Sequence, residues 1–147
     1  GEPYALRLDM TAAIELAREI SGQALISYVA FDDDGRERRV IADPARWGDA
    51  VIVRKDVPAS YHLAVVVDDH RQGITHVTRG EDLEAATDLH RLLQVLFGFE
   101  APRYHHHRLL LDEGGAKLAK RSGSESLRSL REKGLTPEDI RRMMTAV

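Results

Sequence analysis

An α/β fold is the class that the sequence predicts, and three observations support it. Residues 61–68 form a near-continuous apolar run, which is typical of a strand buried on both faces of a parallel sheet. Residues 81–97 begin with acidic side chains, carry an apolar stripe at helical spacing and stop at Gly98, as an amphipathic helix does. Around these two segments, predicted strands and helices follow one another in the order expected of an α/β domain.

The other elements follow from short patterns along the chain. Residues 10–20 predict a helix capped by Thr11, and Trp47 is predicted to anchor the core. The Asp-rich turn of residues 32–35 lacks the ligand spacing of a calcium loop, so a solvated hairpin turn is favoured. The remaining predicted segments are strands over residues 25–31, 38–42, 50–53, 74–78 and 104–111, and helices over residues 126–133 and from 136 to the end.

Length and composition indicate one globular domain with a real core. The 147 residues are 43% hydrophobic and 31% charged, which argues against disorder. No apolar run approaches the roughly 20 residues of a membrane helix. The absence of cysteine excludes disulfides and thiolate metal sites, so a cytoplasmic enzyme is the expectation.

Charge is distributed unevenly along the chain. Residues 1–100 carry 11 Lys and Arg against 18 Asp and Glu, whereas residues 101–147 carry 10 against 6. A basic segment on an acidic body fits local contact with a phosphate-bearing ligand better than whole-surface binding of nucleic acid.

Charged residues follow the predicted strands over residues 61–68 and 74–78. Asp68 and Asp69 end the first, and Arg79, Glu81 and Asp82 follow the second. Ligands of open α/β sheets bind where the strands end, so these side chains are candidates for a binding site. The alternative is a set of surface carboxylates and a helix N-terminus carrying acids, and spacing alone leaves both open.

Two further clusters are candidates for a metal site and a phosphate-binding site. His105, His106 and His107 suggest zinc, but consecutive strand residues point to alternate faces, so we expect no metal and one histidine facing the pocket. Lys117 and Lys120 follow a Gly-Gly turn and could clamp a polyphosphate during phosphoryl or nucleotidyl transfer. A solvated basic turn is the alternative for the lysines.

Three motifs taken together resemble a known family. Residues 61–69 (YHLAVVVDD), 73–82 (GITHVTRGED) and 117–121 (KLAKR) are similar to the second half of the catalytic domain of class I glutamyl-tRNA synthetases. The resemblance is close from about residue 43 onward. It implies that residues 43–147 form the second half of a Rossmann-like nucleotide-binding domain. Residues 1–42 would then be a small α+β remnant of the inserted acceptor-binding region.

The resemblance implies an ATP-dependent ligase. Glutamate and ATP would give glutamyl-adenylate and pyrophosphate, and the glutamyl group would pass to tRNA. A shortened bacterial branch of the family uses the queuosine base of tRNA(Asp) as acceptor, and synthetases proper charge tRNA(Glu). The chain ends 26 residues after Arg121, which favours the shortened branch as an expectation.

The resemblance also implies roles for individual residues. Tyr61 and Arg79 match glutamate-binding positions, and an arginine suits a carboxylate. Lys120 and Lys117 match the catalytic lysines of the KMSKS-type loop, which contact the ATP phosphates. The other matched positions are Asp82, Leu109 and Leu110 at ATP, and His106 on the adjoining strand. ATP would be a substrate used with Mg²⁺, and no zinc ligands are expected.

Two departures from the family pattern affect these expectations. Ala119 stands where the KMSKS-type loop usually has serine, so turnover could differ although both lysines remain. No segment matches the HIGH motif, so the isolated chain is expected to be inactive and to expose an apolar sheet edge that favours self-association. The alternatives to a ligase are a non-catalytic nucleotide- or RNA-binding module and a metal-dependent hydrolase using Asp68, Asp69 and the histidine run.

Overall fold

A computed structural model of the chain describes residues 4–111, 117–118 and 125–145, and it divides into two compact units, residues 1–107 and 108–147. None of the helices within the described ranges is long and apolar enough to cross a membrane. The elements in chain order are β1 (Leu6–Arg7), α1 (Met10–Ser21), β2 (Ser27–Phe31), β3 (Glu37–Ile41), a 3-10 turn (Pro44–Trp47), β4 (Val51–Val53), α2 (Tyr61–Gln72), β5 (His76–Gly80), a second 3-10 turn (Glu81–Leu83), α3 (Glu84–Phe97), β6 (Arg103–His107), α4 (Leu127–Glu132) and α5 (Pro137–Thr145).

A four-stranded sheet with the order β3-β2-β6-β5 forms the centre of the first unit. Strands β2 and β5 both run parallel to β6, and β3 pairs antiparallel to β2 at one edge. The register sets Val77 opposite Tyr104 on one side of β6 and Ala30 opposite it on the other. The predicted α/β class is therefore confirmed, with a separate two-stranded sheet of β1 and β4.

The prediction of a strand over residues 61–68 is wrong, because this segment is the first part of helix α2. The Ser60 hydroxyl caps the helix by accepting from the Leu63 amide at 3.3 Å. Gly73, in the left-handed conformation at φ 66°, ends it after Gln72. Of its apolar residues only Val66 is fully buried, so the run covers one helical face and not two faces of a sheet. Asp68 and Asp69 consequently lie near a helix end and not at a strand end.

Helix α3 carries most of the core, as its apolar stripe predicts. Leu89, Leu92 and Leu93 are at most 2% exposed, and α1 packs against them through small residues. The cap of α1 differs from the prediction: Asp9, and not Thr11, accepts from the Ala12 amide at 3.0 Å. Asp9 has an extended backbone immediately before the helix, and this places its carboxylate where the first amides of the helix need an acceptor.

Two smaller boundaries also differ from the predictions. Residues 81–83 form a 3-10 turn, so the α-helix begins at Glu84. The strand predicted over residues 104–111 ends at His107, and beyond it Leu111 forms one isolated bridge with Lys117 in the second unit. Strands β2 and β3, which precede residue 43, share the sheet with β5 and β6. The assignment of residues 1–42 and 43–147 to parts of a larger synthetase stays a prediction.

The second unit consists, within its described residues, of the short Leu111–Lys117 bridge and two helices. The Ser126 hydroxyl accepts from the Ser129 amide at 3.1 Å and caps α4. Thr136 and Asp139 exchange side-chain and backbone hydrogen bonds at the start of α5. These caps agree with the two helix starts that the sequence predicts.

Candidate active site

Arg79 is held by three side-chain acceptors at the carboxyl end of the parallel strands. It is the fourth residue of β5, and its guanidinium donates through Nη2 to Thr87 Oγ1 at 2.7 Å. Nη1 lies 3.2 Å from His90 Nδ1, and Nε makes a longer contact of 3.4 Å with His106 Nε2. Strand β6 supplies the third partner and helix α3 the first two, so the packing of α3 on the sheet fixes the direction of the guanidinium.

A guanidinium only donates hydrogen bonds, so Arg79 determines where its histidine neighbours carry their protons. His90 Nδ1 and His106 Nε2 both accept and therefore have no proton at these atoms. The Thr87 hydroxyl, which accepts from Arg79, donates onward to His106 Nε2 at 3.0 Å. His90 then carries its proton on Nε2 and donates it to His62 Nδ1 at 3.0 Å. These five residues, Arg79, His62, Thr87, His90 and His106, are called the Arg79 cluster below.

Burial and the arginine charge keep the histidines of the Arg79 cluster neutral. Burial, with a further contribution from the Arg79 charge, lowers the pKa of His90 to about 3. The same two causes lower the pKa of His62 and of His106. A neutral ring can accept from the guanidinium, whereas a protonated ring would repel it, so pKa values and hydrogen bonds indicate the same state.

Tyr61 stands beside the cluster at the first position of α2. Its side chain is half-exposed, and its ring lies 5.5 Å from the ring of His62 and 5.9 Å from that of His90. Trp47 supports His62 from the other side, with ring centres 5.2 Å apart, and is itself fixed by a 3.0 Å hydrogen bond to the Ala85 carbonyl. Trp47 packs against the core, as predicted, and it also supports the site through its contact with His62.

The Tyr104 ring packs against the guanidinium of Arg79. The guanidinium carbon lies 5.2 Å from the ring centre, and the ring stacks in parallel with His106. The phenol oxygen accepts from Gln94 Nε2 at 2.8 Å, and both side chains are at most 2% exposed. The face of an aromatic ring attracts a cation without neutralising its charge.

Asp69 and Asp82 differ in their relation to this site. Asp69 is half-buried on α2, and burial raises its pKa while the Arg79 charge acts in the opposite direction. Asp82 is exposed on the 3-10 turn that follows β5. The predicted grouping of acids at strand ends thus applies to Glu81 and Asp82, which follow β5, but not to Asp68 and Asp69.

The histidine run of β6 divides between the two faces of the sheet, as strand alternation predicts. His106 belongs to the Arg79 cluster, while His105 lies 3.1 Å from Asp33 and packs against Phe31 on the other face. Within the described ranges, no group of three or more His, Cys, Asp or Glu side chains is arranged to hold a metal ion.

The remaining predicted site residues belong to the second unit. Leu109 and Leu110 are half-buried, and the Leu110 carbonyl accepts from the Leu118 amide at 3.0 Å. Lys117 is exposed at the bridge described above. Lys120 lies outside the described residues.

Sequence reasoning missed three partners of the site, namely Thr87, His90 and Gln94. All three are buried on α3 at spacings of three and four residues, on the stripe that carries the core leucines. A polar residue on a buried stripe requires a hydrogen-bond partner, and this was the signal available in the sequence.

Comparison with known proteins gives one consistent result. A family model described as "tRNA synthetases class I (E and Q), catalytic domain" matches residues 26–147. A glutamyl-Q tRNA(Asp) synthetase from Rhodobacter capsulatus is 44% identical over 139 residues, which are 95% of this chain and 47% of that protein. A glutamate–tRNA ligase from Chlamydophila psittaci is 37% identical over 145 residues, which are 99% of this chain and 26% of that protein. The chain thus spans about half the length of the first relative and a quarter of the second.

Two solved structures resemble the chain in fold and sequence. A glutamate tRNA ligase from Elizabethkingia meningosepticum, in complex with its amino acid, has a TM-score of 0.53 and 36% identity, covering 67% of this chain and 19% of that one. A glutamate-tRNA synthetase from Elizabethkingia anophelis has a TM-score of 0.55 and 33% identity, covering 82% of this chain and 22% of that one.

Proposed function

The chain belongs to the catalytic domain family of the class I tRNA synthetases for glutamate and glutamine, and from this premise we propose that the protein activates glutamate with ATP and transfers it to tRNA. The queuosine base of tRNA(Asp) is the favoured acceptor, because the relative that bears this activity in its name shares more identical residues with the chain than the glutamate–tRNA ligase does. Charging of tRNA(Glu) is the second candidate, supported by ligases that align with 99% of the chain.

The observation that carries the proposal is the charge state of the Arg79 cluster. Thr87, His90 and His106 are all neutral acceptors, and Arg79 forms no ion pair with a carboxylate among the described residues. Of its five N–H groups, three are directed to these acceptors, and the other two have no partner in the described part of the chain. A substrate carboxylate would supply the missing negative charge through a charge-assisted pair of hydrogen bonds.

Tyr61 is proposed to contact the same glutamate. Its half-exposed ring adjoins His90, the residue that also accepts from Arg79, so phenol and guanidinium share one neighbour. Asp82, exposed directly after β5, is proposed to face the ATP side of the site.

The basic loop is proposed to hold the ATP phosphates. Lys117 and Lys120 would neutralise charge that develops on the phosphates during adenylate formation, together with Mg²⁺. Leu109 and Leu110 would lie beside the adenine. Ala119 removes a hydroxyl from this loop, and we expect Ala119→Ser to raise the rate of adenylate formation and to leave the KM for glutamate unchanged.

We further propose that this chain needs a segment carrying a HIGH-type motif for catalysis, because its sequence contains none. The measurement is ATP–pyrophosphate exchange in the presence of glutamate. We expect no exchange with the 147-residue chain alone and restored exchange in a protein that joins the chain to such a segment. Robust exchange by the isolated chain would contradict this proposal.

Glutamate transfer by the whole protein tests the function itself. Labelled glutamate, ATP and Mg²⁺ are supplied with tRNA(Asp) that contains or lacks queuosine, and in parallel with tRNA(Glu). We expect label only on queuosine-containing tRNA(Asp). Label on tRNA(Glu) would establish the second candidate instead, and label on no tRNA would leave a non-catalytic binding module as the better description.

A further inference from the structure

A polar cavity of about 300 Å³ lies away from the Arg79 cluster, and three arginines line it. Arg103 is the first residue of β6 and Ser27 the first residue of β2, so the cavity opens at the amino ends of these parallel strands. Arg79 and His106 are near the carboxyl ends of β5 and β6. The two sites therefore lie at opposite ends of the parallel strands. The cavity lined by Arg39, Arg91 and Arg103 is called the arginine pocket.

Arg91 is the central side chain of the arginine pocket. Its Nε donates to the Ser27 carbonyl at 2.8 Å, which fixes the guanidinium, while its buried Nη1 has no hydrogen-bond partner in the described part of the chain. No carboxylate of the described residues pairs with it, and burial lowers the pKa of Arg91. A partly buried guanidinium that lacks a paired carboxylate is unfavourable, and an anion in the pocket would contact the part of Arg91 that lines it.

The other groups around the cavity are also donors. Arg39 Nη1 donates to Ser27 Oγ at 3.3 Å, so the serine hydroxyl hydrogen remains available to a ligand. Arg103 is held by an ion pair with Glu37 on β3, which leaves part of its fork for another acceptor. Among the described residues that line the cavity, none is acidic.

We propose that the arginine pocket binds a phosphate group of the RNA substrate. Three guanidinium groups and a hydroxyl match the tetrahedral, multiply accepting phosphate better than a single carboxylate, because arginine forks donate in pairs. The choice of RNA over a free phosphate rests on the proposed function, whereas the anion site itself rests only on the arginine pocket. Because the pocket lies at the end of the strands opposite Arg79, it would contact the RNA body and not the reacting groups.

RNA affinity of the 147-residue chain tests this proposal directly. Labelled tRNA(Asp) transcript is titrated with protein between about 50 and 200 mM salt, and the slope of log K against log salt is compared between variants. Arg91→Gln and Arg39→Gln are the test variants. Arg71→Gln, on the exposed end of α2, removes the same unit of charge outside the pocket and is the matched control.

We expect each test variant to bind about tenfold more weakly than the control and to lower the salt slope by about one. Arg91→Lys should recover part of the loss, because it restores the charge but not the fork. If Arg91→Gln does not fold, as judged by its circular dichroism, Arg39→Gln and Arg91→Lys carry the comparison, since Arg39 is exposed.

Inorganic phosphate and pyrophosphate distinguish the two sources of the phosphate group. Each is titrated while the Arg91 Nε–H signal is followed by NMR. Pocket-dependent binding of these ions, together with RNA affinities that equal that of Arg71→Gln, would overturn the RNA assignment. Equal RNA affinities and no response to either ion would overturn the pocket itself.

Failure of this inference and failure of the proposed function give different results. If the whole protein transfers glutamate and Arg91→Gln leaves its KM for tRNA unchanged, the RNA assignment of the arginine pocket is wrong and the function stands. If RNA binding depends on Arg91 but no glutamate is transferred, the pocket stands and the function is wrong.

Discussion

Replacing His90 by glutamine should remove one of the acceptors that hold Arg79 without removing a polar group from the core. His90 is 2% exposed and uses both ring nitrogens, Nδ1 toward Arg79 and Nε2 toward His62. A glutamine amide lies near the position of Nε2, and an asparagine amide near that of Nδ1. His90→Gln therefore keeps the contact to His62 and loses the acceptor for Arg79, while His90→Asn does the reverse.

The expected size of the effect comes from one charged hydrogen bond. Hydrogen bonds to charged groups contribute about 1.5–3 kcal/mol, which corresponds to roughly a 10- to 150-fold change in an equilibrium constant. Thr87 Oγ1 at 2.7 Å still holds Arg79 in the variant, so we take the lower limit. His90→Gln should then raise the KM for glutamate about tenfold, while His90→Asn should stay within about threefold of the parent.

The assay is glutamate-dependent adenylate formation by the whole protein with glutamate varied at saturating ATP. If His90 acts by positioning Arg79, the KM for glutamate should change while the KM for ATP stays the same. A general loss of folding would not produce this pattern. Urea unfolding of both variants controls for stability. Equal glutamate KM values for His90→Gln and His90→Asn would refute the assignment of His90 as a positioning residue.

Three other predictions concern stability. The pKa of His90 falls from 6.5 to about 3 on folding, so the unfolded chain takes up a proton before the folded chain as the pH drops. The free energy of unfolding should therefore keep its full value above about pH 6.5 and be about 2 kcal/mol lower at pH 5. Urea unfolding at the two pH values should show a smaller difference for His90→Gln. Ser60→Ala should cost about 1 kcal/mol of unfolding free energy while Ser60→Thr retains most of it, and equal thermal midpoints would argue against the α2 cap. Tyr104→Phe leaves the buried Gln94 amide without its acceptor and should cost about 1–3 kcal/mol in chemical unfolding, a loss that Tyr104→Phe combined with Gln94→Leu should partly restore.

Secondary structure was predictable where a pattern was long and had clear ends. The apolar stripe of α3 spans several turns, so helical periodicity identified it and the leucines of the core. The run at the start of α2 is eight residues long, and a continuous apolar run of that length fits a buried strand as well as a helix. Ser60 and Gly73, which cap α2 at its two ends, were visible in the sequence and favour the helix.

The candidate site was predictable only in part, because its partners depend on tertiary packing. The family motifs pointed to Tyr61, Arg79 and His106, and the structure places Arg79 and His106 in the Arg79 cluster with Tyr61 beside it. Their roles in binding stay a prediction. That Arg79 meets Thr87 and His90 depends on where β5 ends relative to α3, which no local pattern encodes. A buried histidine on an apolar stripe indicates a hydrogen bond, but neither its partner nor its tautomer.

The neutrality of the Arg79 cluster has a consequence for selectivity in the proposed reaction. A carboxylate among the acceptors would hold the guanidinium equally well, but it would cancel the charge that distinguishes glutamate from glutamine. Thr87, His90 and His106 fix its direction and leave its charge uncompensated, and the Tyr104 ring supports it in the same way. A neutral amide in place of the substrate carboxylate would leave that half-buried charge unpaired, which is the more costly state. We therefore expect His106→Glu, which adds a carboxylate to the cluster, to weaken discrimination against glutamine at least as much as it weakens glutamate binding, as measured by adenylate formation with each amino acid.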